Sequence, residues 1–220
     1  MTAEVESETL VDPDRVVIRP LTAADTDAYR QLRRHILEIG EGKYFSTSYT
    51  TEQQFTSEAQ WRERCTETQV RCTIGSFVDG ALVGIMSIHL CGDPSDSTVE
   101  WDSTWVDPKY RSSGVARQAY EKTHAWCQAR GYRYAIVDIR ADNTRSREIR
   151  ERQGAMYLFT KRDVQWADGS TADTHYFMLT IAPGAERVRS GSQAIGFLRA
   201  AVRFVQHEHP GEAAPEEVGP

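Results

Sequence analysis

The chain has few cysteines, and none stands in a pattern typical of metal binding or redox catalysis. Its four cysteines occur singly, so there is no C-x-x-C pair and no metal-ligand spacing with the six histidines. This argues against zinc sites and thioredoxin-like motifs, and we expect no metal. The pattern predicts reduced thiols that mostly serve as packing residues. The four are Cys65, Cys72, Cys91 and Cys127.

Long hydrophobic runs and an excess of positive charge are also missing. The longest apolar runs, such as residues 81–86, are far shorter than the roughly 20 residues that span a bilayer. Residues 1–14 are acidic, unlike a signal peptide. We therefore expect a soluble cytoplasmic protein that does not bind membranes. The net charge of −6 argues against nucleic-acid binding, although an acidic surface tolerates cationic substrates.

Length and composition predict one domain with tails. With 220 residues, 40% of them hydrophobic, the chain is long enough for one well-buried core and short for two. We expect a disordered tail over residues 1–14, one folded domain over 15–182, and a disordered tail over 209–220. The pattern of apolar and charged residues over 183–208 predicts a linker followed by an amphipathic helix. This helix either packs on the domain or contacts a partner subunit, for example in a homodimer.

The hydrophobic patterns predict a mixed α/β fold. Strand and helix patterns follow in the order β, α, α, three strands, α, β, α and two strands, which predicts a mixed sheet with helices on its faces. Asp79-Gly80 indicates a tight hairpin turn. The predicted strands cover residues 16–19, 70–78, 81–90, 97–106, 134–139, 156–165 and 175–181. The predicted helices start at Thr22, Glu58, Ala116 and Thr144.

The most informative stretch runs from Val106 to Ala116, where a strand pattern passes directly into a helix pattern. Gly114 allows a tight turn or a close approach to a ligand. The first N–H groups of the helix point at any anion that lies there, and Arg111 adds a fork of donors. The loop is therefore expected to bind phosphate, although a glycine before a helix also arises without a ligand. The intervening residues expected to act mainly through their backbone are Ser112, Ser113 and Val115. No Gly-x-Gly-x-x-Gly is present, which argues against a dinucleotide site.

Arg111-x-x-Gly114-x-Ala116 resembles the Arg/Gln-x-x-Gly-x-Gly/Ala signature of the GNAT superfamily of acyl-CoA-dependent N-acyltransferases. The parts that follow are also similar: a buried strand, Asn143, a small residue at Ser146, and a glycine before the next strand. The resemblance implies a mostly antiparallel sheet of six to seven strands flanked by helices. It also implies acetyl-CoA as co-substrate and transfer of its acetyl group to a primary amine of a small molecule.

The resemblance implies roles for individual residues as well. Trp105 and Val106, the last strand residues before the loop, are implied to hold the pantetheine arm and polarise the thioester through main-chain N–H groups. Asn143 is implied to contact the cofactor arm, with Ser146 beside it. Glu100, six residues before Val106, stands where many members carry the catalytic base.

The strand that holds Glu100 predicts a shared cleft for two carboxylates. Period-two geometry places Glu100, Asp102 and Thr104 on one strand face. It places Trp101 and Trp105 on the other. Crowding is then expected to raise the pKa of one carboxyl toward a value useful for proton abstraction. A solvated strand face has the same pattern, so this second interpretation stays open.

The general acid is where the chain departs from the GNAT pattern. Many members carry Tyr seven residues after the Asn, and here that position is Arg150. Arginine cannot act as an acid near neutral pH. We expect Arg150 on a solvated helix face with Arg147 and Glu151, and the alternative is electrostatic stabilisation of the thiolate. The thiolate can also leave unprotonated, since a thiol pKa is about 8.5.

Aromatic residues are the candidates for the acceptor pocket. Tyr44, Phe45, Tyr49 and Phe55 fit a wall for an apolar or ring-bearing substrate, yet packing is the commoner role of such residues.

The GNAT resemblance places the last strand beside the acceptor. His175 and Tyr176 on that strand, and Asp102 on the strand of Glu100, are therefore candidate substrate-binding residues. A single His in such a strand more often has a structural role.

Two alternatives to a small-molecule acetyltransferase stay open. The acceptor is a protein amine, on Lys or an N-terminus, or the domain is a non-catalytic module that binds acyl-CoA and a partner. A groove closed by residues 40–56 favours a small molecule, and an open groove favours a protein. The missing Tyr supports the module, whereas Glu100 and the phosphate loop count against it.

Overall fold

The structure is a computed structural model, and it describes residues 11–45, 57–91, 97–166 and 168–182. The predicted C-terminal helix and tail, and most of the predicted N-terminal tail, lie outside these residues. The strands are β1 (Val16–Pro20), β2 (Arg71–Val78), β3 (Ala81–Leu90), β4 (Thr98–Val106), β5 (Tyr134–Arg140), β6 (Met156–Gln165) and β7 (Thr171–Thr180). The α-helices are α1 (Thr26–Glu38), α2 (Glu58–Arg64), α3 (Val115–Ala129) and α4 (Thr144–Arg152).

The seven described strands form one mixed sheet in the order β1-β2-β3-β4-β5-β7-β6. Every neighbouring pair is antiparallel except β4 and β5, which are parallel because α3 crosses over between them. Asp79 and Gly80 both take positive φ in the β2–β3 hairpin, as their sequence predicts. The mostly antiparallel, helix-flanked sheet is therefore confirmed.

Helices cover both faces of the sheet. The apolar side of α1 buries Tyr29 and Ile36 in a core that also holds Trp61 of α2. On the opposite face, α3 buries Trp126 and Cys127 against the central strands. The sheet thus separates two hydrophobic cores, and each core contributes to the free energy of folding through the apolar area that it removes from water.

The four cysteines are buried thiols that form no disulfide, which confirms the prediction that they pack in the core. Burial raises the pKa of the Cys72 and Cys127 thiols to about 12, so both stay protonated at neutral pH.

Two element boundaries differ from the sequence prediction. Thr22 and Asp25 form a capping box, but it caps a short 3-10 turn, and α1 begins only at Thr26. The last strand begins at Thr171 because backbone pairing with Gln165 continues right up to the turn. The polar residues at the start of this strand gave no hydrophobic pattern from which a strand could be predicted.

A β-bulge interrupts β4. Asp102 pairs with Ser87 and Trp105 pairs with Ile85, so β4 has one more residue than β3 between these two pairs. Ser103, inside the extra stretch, has a φ of 45° in the left-handed region. A bulge of this kind breaks the period-two alternation of side chains.

The bulge makes part of the predicted alternation wrong. Trp101 packs in the core under α3, whereas Trp105 packs in the core under α1 and α2, on the opposite face. Thr104 turns toward α4 and accepts a hydrogen bond from Arg150. Asp102 keeps its expected side and faces His89. The last residues of β4 therefore reach both faces of the sheet.

We predict that the bulge depends on the left-handed conformation of residue 103. Ser103→Val is expected to be less stable than Ser103→Gly by about 1–2 kcal/mol, because only glycine adopts positive φ without steric cost. Both variants lose the Ser103 hydroxyl, so the comparison isolates the backbone. Urea unfolding of both variants measures the difference, and equal stabilities would contradict the role given to the bulge.

Candidate functional site

A cleft opens where β4 and β5 part. The described register pairs join Thr98–Glu100 of β4 to Tyr134–Ile136 of β5 and end there. Beyond them lies a cleft of about 1110 Å³. Residues 100–106 of β4 line one wall and residues 137–140 of β5 line the other, while α3 and α4 contribute further side chains. The two strand edges thus open onto a space that a ligand can fill.

The cleft brings together most residues predicted for the site, although they are far apart in sequence. Those that line it are Tyr44, Phe45, Glu100, Asp102, Trp105, Val106, Arg111, Ser112, Ala116, Asn143 and Ser146. Asn143 has a second role, because its Oδ1 accepts the Ser146 N–H at 3.2 Å and caps α4.

The loop before α3 has the geometry of an anion site. Gly114 stands at the N-cap with φ of 89° and gives no side-chain cap, and the first helical bond runs from Gln118 N to its carbonyl. The N–H groups of Val115, Ala116 and Arg117 therefore have no acceptor within the helix. A Cβ added to Gly114 would meet no atom within 4 Å, so open space adjoins this turn. The arrangement suits a phosphate group.

Ser113 and Val115 hold the loop from inside. Ser113 Oγ donates to the Tyr110 carbonyl at 2.6 Å, and Val115 is fully buried against β3 and β4 residues, among them Val83. Neither side chain lines the cleft, which agrees with the expectation that this loop acts mainly through its backbone.

Arg111 forms a clamp with a residue that the sequence analysis missed. Its Nε donates to the Val106 carbonyl at 2.9 Å, and its terminal nitrogens pair with both carboxylate oxygens of Glu41. Trp105 Nε1 donates to the same carboxylate. We call Glu41, Trp105 and Arg111 the Glu41 clamp. Glu41 lies seventy residues before Arg111, and no sequence motif relates the two.

The Glu41 clamp predicts a pH-dependent stability. The Arg111 hydrogen bond lowers the pKa of the Glu41 carboxyl against the opposing effect of its partial burial. A carboxyl with a lower pKa in the folded state stabilises the fold above its unfolded pKa, and loses this effect as pH falls through the folded pKa.

Glu41→Gln is therefore expected to lower the free energy of unfolding at pH 7 by on the order of 1 kcal/mol. The difference in the free energy of unfolding between this variant and the unaltered protein should become smaller when the pH is below 4.5, the ordinary carboxyl pKa. Urea unfolding at pH 7 and pH 3.5 measures it. Glu38→Gln, at an exposed position on α1, is the control. A deficit that stays constant with pH would contradict the ion pair.

The surroundings of Glu100 and Asp102 differ from the solvated strand face that was left open as the second interpretation. Glu100 is only 8% exposed, and its strand partner is His89. The Asp102 carboxylate lies 3.3 Å from His89 Nε2. Burial raises the pKa of Asp102, but the hydrogen bond and charge of His89 and the charge of Arg33 lower it further, and the net shift is downward. Asp102 is therefore not the carboxyl whose pKa was expected to rise, since a bonded histidine stabilises the carboxylate.

Arg150 is buried rather than solvated, which corrects the sequence prediction. It is 3% exposed and donates to Thr104 Oγ1 and to Gln153 Oε1, both at 3.2 Å. Its guanidinium carbon lies 4.7 Å from the Tyr120 ring centroid and 5.8 Å from that of Trp101. The helical pattern of α4 is so polar that it gave no sign of a buried face.

Two predicted acceptor residues lie elsewhere. Tyr176 stacks on Phe159 with ring centroids 4.6 Å apart, in a small core on the β6–β7 side. His175 Nδ1 lies 2.7 Å from Thr160 Oγ1, on the neighbouring edge strand. Neither residue lines the cleft, because β5 separates β7 from β4.

The predicted aromatic wall is present in part. Tyr44 and Phe45 line the cleft, and the buried Phe45 ring lies under the Arg33 guanidinium at 4.5 Å. Tyr49 and Phe55 lie outside the described residues.

Neither a metal cluster nor a membrane-spanning helix occurs in the described ranges. No three His, Cys, Asp or Glu side chains there are grouped so that they could hold a metal ion. None of the helices in these ranges is both long and apolar enough to cross a bilayer.

The family described as "Acetyltransferase (GNAT) family" matches residues 35–155. A search of curated protein sequences finds no match.

Many solved structures share the fold. One is yncA, a putative acetyltransferase from Salmonella typhimurium with acetyl-CoA, at 18% identity and a TM-score of 0.62 over 80% of this chain and 99% of that one. Another Salmonella typhimurium enzyme, which modifies the N-terminal serine of ribosomal protein L7/L12, matches at 15% identity and 0.62 over 76% and 96%. The Escherichia coli ribosomal-protein-S18-alanine N-acetyltransferase matches at 17% identity and 0.57 over 80% and 99%. At these identities the likeness shows the fold.

Proposed function

The chain belongs to the GNAT family of acyl-CoA-dependent acetyltransferases, and from this premise we propose that it transfers an acetyl group from acetyl-CoA to a primary amine of a small molecule. One observation carries the proposal: a single cleft holds an anion-binding helix start at one end and the buried Glu100 at the other. The wall between these two ends of the cleft is the part of β4 that lies beyond its pairing with β5.

The cleft suits the parts of acetyl-CoA in order. The diphosphate fits the free N–H groups at the start of α3, where Gly114 leaves open space. The pantetheine arm fits the gap between the strand edges, where Trp105 and Val106 of β4 line the cleft. Asn143 and Ser146 lie on the other wall of the gap. The thioester then lies toward Glu100.

Acyl transfer in this geometry needs one proton acceptor. The amine nitrogen attacks the thioester carbonyl carbon, and the C–S bond breaks with its electron pair passing to sulfur. Glu100 takes the proton that the amine loses, directly or through one water. Glu100 is our candidate base because it lines the cleft and is buried, and Asp102 lies against His89.

The segment after α1 supports a small acceptor. The Glu41 clamp fastens this segment to the phosphate loop, and Arg140 donates to the Lys43 carbonyl at 3.1 Å from the end of β5. Tyr44 and Phe45 are thereby held against the cleft and narrow its acceptor side. A protein N-terminus is the second candidate acceptor, because two of the similar structures are N-acetyltransferases of ribosomal proteins.

We predict that Gly114→Val weakens acetyl-CoA binding roughly tenfold or more, because a β-branched residue cannot keep the backbone turn that exposes the N–H groups. Gly131→Val is the matched control. Gly131 also has a positive φ and open space around it, but it follows the far end of α3. Isothermal calorimetry with acetyl-CoA measures both variants. Equal weakening in the two would show that backbone strain alone, and not the anion site, causes the loss.

We predict that Glu100→Gln lowers kcat by about 10²–10⁴-fold while acetyl-CoA still binds, since general base catalysis contributes on that scale. The assay is acetyl transfer to a panel of small amines and N-terminal peptides across pH. Glu148→Gln, at an exposed position on α4, is the control. An unchanged rate at every pH would exclude Glu100 as the base, and acetyl-CoA binding without transfer to any amine would favour the non-catalytic module.

A further inference from the structure

Arg150 is a buried cation, and no residue that the structure describes neutralises its charge. It is 3% exposed, and no carboxylate among the described residues lies within ion-pair distance of its guanidinium. Burial lowers its pKa from the ordinary value, yet arginine stays charged at neutral pH. A buried charge without a counter-ion lowers stability. Such a group calls for a role beyond packing.

The contacts of Arg150 hold it in place without neutralising it. The rings of Tyr120 and Trp101 flank the guanidinium, and its two hydrogen bonds go to the neutral groups of Thr104 and Gln153. An arginine has five N–H donors. Three therefore have no acceptor within the described ranges, and the residue lines the cleft.

The position of Arg150 follows from its bond to Thr104. Along β4, Thr104 lies between Glu100 and the phosphate loop. A thioester with its diphosphate on that loop and its carbonyl near Glu100 places its sulfur beside this stretch. Thr104 also turns to the face opposite Asp102, so the cation approaches from the side away from the carboxylates.

We propose that Arg150 is a catalytic residue that binds the sulfur of CoA as a thiolate, so that the leaving group departs without being protonated. This inference rests on the proposed function. When the C–S bond breaks, the electron pair moves to sulfur and the new anion pairs with the guanidinium. The amine proton goes to Glu100 on the opposite face. The sulfur therefore needs no proton donor in the site, and the thiolate takes up a proton only after CoA is released.

Among the described residues, two titratable groups face Arg150, both from α3. They are Tyr120, whose ring covers the guanidinium, and His124, which lies edge-on to Trp101 at 4.9 Å. Burial first, and then the Arg150 charge, lower the pKa of His124 and so favour its neutral ring. From β4, the contacting residues Trp101 and Thr104 do not titrate, and on α4 itself the contact is Gln153. The comparison of variants at residue 150 keeps both α3 groups unchanged.

The test measures CoA binding between pH 6.5 and 9.5 by calorimetry, with desulfo-CoA as the ligand that lacks the sulfur. In the unaltered protein, the affinity for CoA should rise as the pH increases. The total gain should be about tenfold for each unit by which binding lowers the pKa of the thiol, and desulfo-CoA should show no such gain. Arg150→Gln should abolish the gain, and Arg150→Lys, which keeps a charge, should keep part of it. Arg147→Gln, on the same helix but paired with Glu151 outside the cleft, should behave as the unaltered protein.

The outcomes separate this inference from the proposed function. If CoA and desulfo-CoA both fail to bind, the proposed function is wrong. If CoA binds with the same pH dependence in the unaltered protein and in Arg150→Gln, the function stands and the thiolate site is overturned. A loss of kcat of about 10²-fold in Arg150→Gln, with desulfo-CoA affinity retained, would support it. Retained desulfo-CoA binding also shows that the variant folds.

Discussion

The parting of β4 from β5 is the constraint on which the rest of the site depends. The described pairs between the two strands end at Glu100 and Ile136, so backbone edges that a continuous sheet would pair are left facing one another across a gap. Buried backbone donors and acceptors need partners. In the proposed complex the pantetheine arm supplies these partners, and the phosphate loop and Glu100 lie at its two ends because both belong to the same strand and its continuation.

The bulge at Ser103 divides the chemistry between the two faces of the sheet. Before the bulge, Glu100 and Asp102 lie on the face where Asp102 contacts His89. After the bulge, Thr104 points toward α4 and contacts Arg150. Negative side chains therefore lie on one side of the opening, and a buried positive charge lies on the other. In the proposed reaction, the amine that loses a proton and the sulfur that gains an electron pair need these opposite environments. A single irregular residue in one strand thus arranges the site electrostatically.

The sequence revealed the parts of this arrangement that rest on local rules. Asp79-Gly80 specifies a hairpin and Gly114 specifies an open helix start, because each depends on neighbouring backbone geometry. The Glu41 clamp was missed because Glu41 lies 64 residues before Trp105 and 70 before Arg111. Contacts of that range depend on the packing of α1 over the sheet, which no spacing encodes.

Arg150 and Trp105 show the second limit of sequence reasoning. α4 is rich in charged residues, and from its pattern Arg150 belongs on the surface. It is buried because Tyr120 and Trp101 flank it, and that depends on where β4 and α3 meet. The face of Trp105 was predicted from strict alternation, and one bulged residue reversed it. Periodicity holds along regular elements, and functional sites often lie where regularity ends.

The most direct test of the central claim is a crystal structure of the protein with bound CoA. We expect the diphosphate on the N–H groups of Val115, Ala116 and Arg117, the pantetheine arm between β4 and β5, and the sulfur next to Arg150 on the face opposite Asp102. A ligand bound on the outer surface, or an arm that does not enter the gap between the two strands, would contradict it.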